Sequence, residues 1–333
     1  MPEVGWPSAV PVVDRESIEF DSAELARERN PREFADELIA WFERFGRSTL
    51  PWRTNREPYR VAVSEFMLQQ TQVERVVPIF EAFVARWPSF GALAAASQAD
   101  VVRAWKGLGY NSRAVRLHRL ARVTVERYGG KLPSGEAPLR ELPGVGPYTA
   151  RAIAAFAFNA GVVAFDTNVR RIVHRTQLGL EWPPLANDSE LEAIAARLIP
   201  ADAGYRFNSA LMDLGATLCT ARAPKCLLCP LQTTCVAAPI DPSRLALLAR
   251  RHAKARSPQE RLRFEATTRY VRGRIIDRLR ALSSHERISL IDLYDELAAG
   301  LEHHDAAAVE HVALALERDG VIERGEDGIR LSQ

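Results

Sequence analysis

Residues 142–171 read LPGVGPYTARAIAAFAFNAGVVAFDTNVRR, and the fold turns on this stretch. A tight hairpin, Pro143-Gly144-Val145-Gly146, separates two helical patterns. Glycines permit the turn and let another backbone come close. Pro147 suits the first position of the helix that follows, and from Ala150 the apolar positions Ala150, Ile153, Ala154 and Ala157 share one helix face. Free N–H groups at a glycine-rich helix start can hold an anion, of which nucleic-acid phosphate is one candidate. A plain helix–helix connection reads equally well. Beyond it, Asp166 opens a further helix.

Working outward, Asn30-Pro31-Arg32-Glu33 has the form of a helix start, with an Asn cap and Pro at the first position. That helix runs to about residue 45. Pro51-Trp52-Arg53 follows, then a helix from about residue 58 containing Val63-Ser64-Glu65-Phe66-Met67-Leu68-Gln69-Gln70-Thr71. A carboxylate among so many apolar residues has two readings. Burial favours its protonated form, a general acid near neutral pH; alternatively it lies on the solvated side of an amphipathic helix. Val73, Val76, Val77, Phe80, Phe83 and Val84 mark another helix face, bent at Pro78. Ser97 caps the next helix, which ends at Gly107-Leu108-Gly109-Tyr110. Asn111-Ser112 caps a helix that closes at Gly129-Gly130. Tyr110, just after two glycines, reads as an exposed aromatic wedge or as a packing tyrosine. Helices are expected at 168–177, 189–198 and 206–217. No β-alternation precedes residue 285, so the body is all-α.

The chain's four cysteines, Cys219, Cys226, Cys229 and Cys235, fall in one C-x6-C-x2-C-x5-C run. Thiols so close favour a metal centre over disulfides in a chain without a secretory signal. The spacing alone leaves zinc and an iron–sulfur cluster both open.

Length and composition set wide bounds. The 333 residues allow two or three domains, and 47% hydrophobic with 26% charged residues is ordinary for a globular protein. A net charge of only +2 means any basic surface must come from local clustering. No apolar run is long enough to span a membrane. The expected location is the cytoplasm, with the nucleoid.

The C-terminal hundred residues change character. Residues 239–263 read as a basic linker, with Arg250, Arg251, Lys254, Arg256, Arg261 and Arg263. Residues 264–333 follow as a helix at 266–282, a short stretch at 287–289 that could be a strand, helices at 290–299 and 305–319, and a hairpin at 321–331. This order is similar to a winged helix. Its third helix carries Glu310, His311, Glu317 and Asp319, poor equipment for reading DNA.

LPGVGPYTA followed by FDTNVRR, together with the cysteine run, resembles the helix–hairpin–helix signature of the endonuclease III superfamily of DNA base-excision glycosylases. The resemblance covers about residues 31–235. It implies a six-helix domain at 57–164 bearing the hairpin at 142–147, and a split iron–sulfur domain from 30–56 and 165–238. The arm at 1–29 and the winged-helix-like α+β unit lie outside it. It also settles the metal question toward a [4Fe–4S] cluster held by Cys219, Cys226, Cys229 and Cys235, with Arg222 and Lys225 on the cluster loop facing DNA phosphate.

Three branches of the superfamily compete. The bifunctional endonuclease III branch has a lysine where this chain has Tyr148, and a phenol cannot form a Schiff base; the chain is expected to be monofunctional. The MutY branch of adenine glycosylases is matched by Pro51-Trp52-Arg53, by the run from Ser64 through Gln69-Gln70 to Gln72, by Gly107 to Ala114 and by Phe207 to Gly215. A mismatch thymine/uracil branch shares Tyr148 and Asp166 but typically lacks the Gln-Gln pair. The resemblance therefore implies a target adenine opposite guanine or 8-oxoguanine in double-stranded DNA, with the mismatch thymine or uracil, or another lesion, as alternative. Glu65 would protonate the flipped base and Asp166 would stabilise the oxocarbenium-like sugar, aided by Tyr148 and Asn168. Trp52, Arg53, Leu68, Gln70 and Ser209 are candidate pocket residues. Gln69, Tyr110, Gly144, Val145, Gly146, Arg222 and Lys225 are candidate DNA contacts. Three departures stand out: Ser209 replaces a longer base-contacting side chain, Asn111 replaces a second tyrosine, and the C-terminal unit is unlike MutY's MutT-like domain. A non-catalytic iron–sulfur DNA-binding regulator is the rival of another class, but a pure binder has no need of two carboxylates. The enzyme is expected to act as a monomer.

Overall fold

The computed structural model describes residues 30–182, 184–252 and 263–333. The arm at 1–29 and the linker positions 253–262 lie outside the described residues.

Helix α1 (Pro31–Phe45) starts as its sequence dictates: Pro31 takes the first turn, and Asn30 Oδ1 accepts the Arg32 N–H at 3.0 Å. After the short α2 (Pro51–Thr54), a run of helices builds the first body: α3 (Pro58–Leu68), α4 (Val73–Arg86), α5 (Phe90–Ala94), α6 (Gln98–Ala104), α7 (Ser112–Tyr128), α8 (Glu136–Arg140) and α9 (Pro147–Phe158). Phe66, Phe80, Phe83, Trp105, Leu117 and Leu120 fill its core. Burial of such side chains contributes on the order of 2 kcal/mol each. The second body combines α1 with α10 (Thr167–Gln177), α11 (Asp188–Leu198) and α12 (Gly204–Thr217) around Phe34, Leu38, Ile172, Phe207 and Leu211. Helix α9 packs on both α3 and α12, so the seam between the bodies runs along α9.

The hairpin between α8 and α9 is required by its glycine. Gly144 has φ +77°, and a Cβ there would stand 2.8 Å from Arg116 Cβ. Left-handed backbone and that close approach both exclude a side chain. Gly129 closes α7 with φ 59°, and Ser97 caps α6 as its sequence requires. Asn111 departs from expectation. It precedes α7, but its side chain makes no capping bond. Instead Asn111 Oδ1 accepts from Arg280 at 2.7 Å, a partner far along the chain.

That partner belongs to the C-terminal unit: α14 (Thr268–Arg280), α15 (Leu290–Leu297), α16 (Ala306–Arg318) and the antiparallel pair β1 (Ile322–Gly325) and β2 (Gly328–Leu331), with Ile322 opposite Leu331. The stretch at 287–289 contributes a single bridge, Ile288 to Ile329, rather than a strand. Val271, Ile275 and Leu279 of α14 are continuous with the core of the first body. Gln98 Nε2 donates to Gly320 O at 2.6 Å, and Arg103 Nη2 to Leu282 O at 3.1 Å. The basic stretch expected as a linker contains a helix, α13 (Pro242–His252), anchored by buried Leu245. Among the described residues no helix is long and apolar enough to cross a membrane.

Candidate active site

Helices α3 and α9, the start of α10 and one face of α12 enclose a cavity of about 260 Å³ on the seam. Glu65 reaches it from α3, a helix buried on nearly every side, and is itself only 7% exposed. Tyr148 reaches it from the first turn of α9, where the hairpin delivers the chain. The Tyr148 hydroxyl lies close enough to the Glu65 carboxyl to favour its ionised form. Burial pushes the Glu65 pKa up to about 7, the nearby Asp166 charge adds to the rise, and the Tyr148 hydroxyl and Arg53 oppose it. The Tyr148 phenol is itself held far above its usual range by burial and by the two carboxylates. It is a neutral donor.

Asp166 caps α10. Its Oδ1 accepts the N–H groups of Asn168 and Val169, both at 2.8 Å, and Oδ2 accepts from Asn168 Nδ2 at 2.9 Å. Three N–H donors at a helix start suit a negative charge. Asn168 is held in turn, its Oδ1 accepting from Arg171 Nη2 at 2.9 Å. Glu65 and Asp166 thus share one cavity in different surroundings, one enclosed by apolar helix and one cradled by N–H groups.

Trp52, Arg53 and Leu68 also line the cavity. Arg53 is committed to a second carboxylate: its Nη1 and Nη2 donate to Asp213 at 2.7 and 3.1 Å. Arg47 joins them, its backbone N–H and Nε each donating to Asp213 at 2.8 Å. Burial raises the Asp213 pKa, but the two arginines outweigh it and hold the carboxyl below the usual range. Asp213 was not among the sequence candidates. Its signal is a lone carboxylate in the apolar run of α12.

Two pocket candidates are elsewhere. Ser209 is fully buried within α12, does not line the cavity, and its hydroxyl has no partner among the described residues. The side chain is too short and faces the helix packing. Gln70 lies past the end of α3 with φ 55°, facing a separate groove that it shares with Tyr110, which is 40% exposed with φ 44°. Gln69 is half-buried beside it. In the hairpin, Gly144 and Gly146 are exposed, whereas Val145 turns its side chain into the core and leaves only backbone outside. Arg222 and Lys225 are exposed, with no ion pair among the described residues.

The four cysteines are all half-buried. Burial pushes the Cys229 thiol up to about 12, and Cys219, Cys235 and Cys226 are near enough to add to the rise. A single zinc ion needs its sulfurs about 2.3 Å from one point. Among the described residues no three His, Cys, Asp or Glu side chains converge in that way. A cluster with one thiolate to each iron spreads its ligands more widely, and thiols that influence one another without converging on a single point are compatible with it. Arg175, fully buried and missed from sequence, ties the loop: its Nη1 stands 3.7 Å from Cys219 Sγ and its carbonyl accepts from Cys235 Sγ at 3.4 Å. Glu181 pairs with it.

Comparison with known proteins agrees with this architecture. Residues 63–201 match the HhH-GPD superfamily base excision DNA repair protein family. The chain is 40% identical over 293 residues to the adenine DNA glycosylase of Mycolicibacterium smegmatis, covering 88% of this chain and 93% of that one. Among solved structures it is similar to a thermostable thymine-DNA glycosylase (TM-score 0.56, 27% identity, 65% of this chain and 97% of that one). A non-covalent endonuclease III–DNA complex shares the fold (TM-score 0.53, 22% identity, 61% and 92%). With near end-to-end similarity to such a relative and a helix–hairpin–helix body beside the paired carboxylates, the chain belongs to the adenine DNA glycosylase family of the HhH-GPD superfamily.

Proposed function

We propose that the chain is a monofunctional glycosylase that removes adenine mispaired with guanine or 8-oxoguanine in double-stranded DNA, acting as a monomer. One observation carries the reading: a carboxyl group raised to about 7 and a carboxylate cradled by N–H donors line the same cavity. Glu65, protonated, donates to N7 of an extruded adenine. The bond between the sugar carbon and the base nitrogen then breaks, its electron pair leaving with the base. Asp166 stabilises the cationic sugar, and water adds to it with loss of a proton. Tyr148 and Asn168 hold the two carboxylates in place. Tyr148, an un-ionised phenol, supplies no amine for strand cleavage.

Gln70 and Tyr110 are the element that opens the duplex and fills the gap, at a cost of a few kcal/mol for extrusion. The exposed backbone of 144–146, with Arg222 and Lys225, grips phosphate. Cys219, Cys226, Cys229 and Cys235 hold a [4Fe–4S] cluster whose role is to fix the loop that carries those cations.

The test is a panel of duplexes containing adenine opposite 8-oxoguanine, A:G, T:G and U:G, read with and without alkali. Cleavage of the adenine duplexes only after alkali is expected. Cleavage confined to T:G or U:G overturns the adenine assignment, and strand breaks without alkali overturn the monofunctional one.

A further inference from the structure

Gln70 and Tyr110 sit at the tips of two loops, 69–71 and 107–110, and both have left-handed backbone at non-glycine residues. Such strain persists only where the surroundings over-determine it. Here the surroundings are largely one side chain. Arg113, 4% exposed in the first turn of α7, reaches between the loops. Its Nη1 donates to the carbonyls of Phe66 and Met67 at 3.0 and 2.9 Å and to that of Gln69. Its Nη2 donates to Leu108 O at 3.0 Å, Gly109 O at 3.1 Å and Thr71 Oγ1 at 3.1 Å. Among the described residues no carboxylate pairs with it, so carbonyl dipoles from both loops carry its charge.

The outer side of the same element is held from the C-terminal unit. The Arg269 guanidinium lies 4.8 Å from the Tyr110 ring centre and donates to the phenol oxygen; Arg113 stands 5.5 Å from that ring. Eleven residues along α14, Arg280 holds the adjacent Asn111. We infer that Arg113 and Arg269 are the positioning residues of the duplex-opening element, Arg113 bracing both strained tips from within and Arg269 fixing the Tyr110 ring from the C-terminal unit. This rests on the reading of Gln70 and Tyr110 given above. It gives a winged-helix-like unit with an acidic third helix a task that its first helix performs.

The experiment compares Arg269→Ala, Arg113→Lys and Tyr110→Ala on two substrates: adenine opposite 8-oxoguanine in a duplex, and adenine already unpaired in a bulge. 2-Aminopurine in place of the target reports extrusion. Arg269→Ala is expected to slow duplex cleavage about two- to fivefold, the size of one lost exposed cation–π contact. Its extrusion signal falls in parallel, bulge cleavage stays near wild type and the melting temperature is unchanged. Arg113→Lys, which keeps the charge but not the fork, gives the same split. Arg269→Ala combined with Tyr110→Ala is no slower than Tyr110→Ala alone. If Tyr110→Ala is slow on the duplex but Arg269→Ala is not, or if both substrates slow equally in Arg269→Ala, the positioning role is wrong and the opening element stands. If Tyr110→Ala itself matches wild type on the duplex, the opening element is wrong and the positioning role falls with it.

Discussion

At the scale of single residues, the cavity separates two carboxylates by environment. A carboxyl raised to about 7 is protonated below that pH and ionised above it. Glycosylase activity at saturating enzyme is therefore expected to fall about tenfold per pH unit above neutrality, and a single-turnover pH profile checks it. Glu65→Gln should abolish turnover while stabilising the fold. The raised folded-state pKa means ionisation of Glu65 opposes folding as pH rises, so the variant's advantage grows from about pH 4 to about pH 8. It reaches on the order of 3 kcal/mol, measurable by denaturant titration at each pH. Glu65 was legible in the sequence because a carboxylate in an apolar helix is conspicuous. Asp213, Arg175 and Arg113 were not. Asp213 is a buried charge whose partners are remote in sequence, Arg113 is held by backbone carbonyls, and Arg175 meets Glu181 only beyond the end of its own helix, so none of the three leaves a helical-spacing pattern. Asn111 misled for the same reason: its position has the form of a cap, but Arg280 takes its side chain.

Among the elements, the hairpin was the most readable, since glycine and proline fix backbone geometry locally. Gly144→Ala must place an L side chain at φ +77° with its Cβ 2.8 Å from Arg116 Cβ. The expected loss is about 1–3 kcal/mol of stability together with weaker duplex binding. Gly146→Ala is the control: its φ is −86° and a Cβ there meets nothing within 4 Å, so it should behave as wild type. Thermal melts and DNA titrations of the pair separate the two. The cysteine loop gives a second prediction. Purified without air, the protein should hold about four iron atoms per chain. Removing them should release the loop and weaken DNA binding more than it lowers the stability of the first body. The cysteine spacing alone left the metal open because it counts residues between thiols and not the distance across them.

For the whole molecule, the helices and hairpin of the C-terminal unit were readable in outline, but its attachment was not. Sequence patterns announce faces, not which faces meet. Val271, Ile275 and Leu279 join the core of the first body, and three side chains of α6 and α14, Gln98, Arg103 and Arg280, bridge the junction. Deleting residues 264–333 should therefore lower the melting temperature of the remainder and increase binding of a hydrophobic dye. A separable domain would leave both unchanged.

The split second body has a consequence for synthesis. Phe34, Leu38 and Phe42 on α1 are covered by α12, and Arg47 meets Asp213 only after 166 further residues. The intervening helices α3–α9 gather most of the first body's core from neighbouring segments. On the ribosome the first helix must therefore wait with its apolar stripe bare while most of that body assembles behind it. During that interval the nascent chain is open to chaperones and to self-association, and only emergence of α12 ends it.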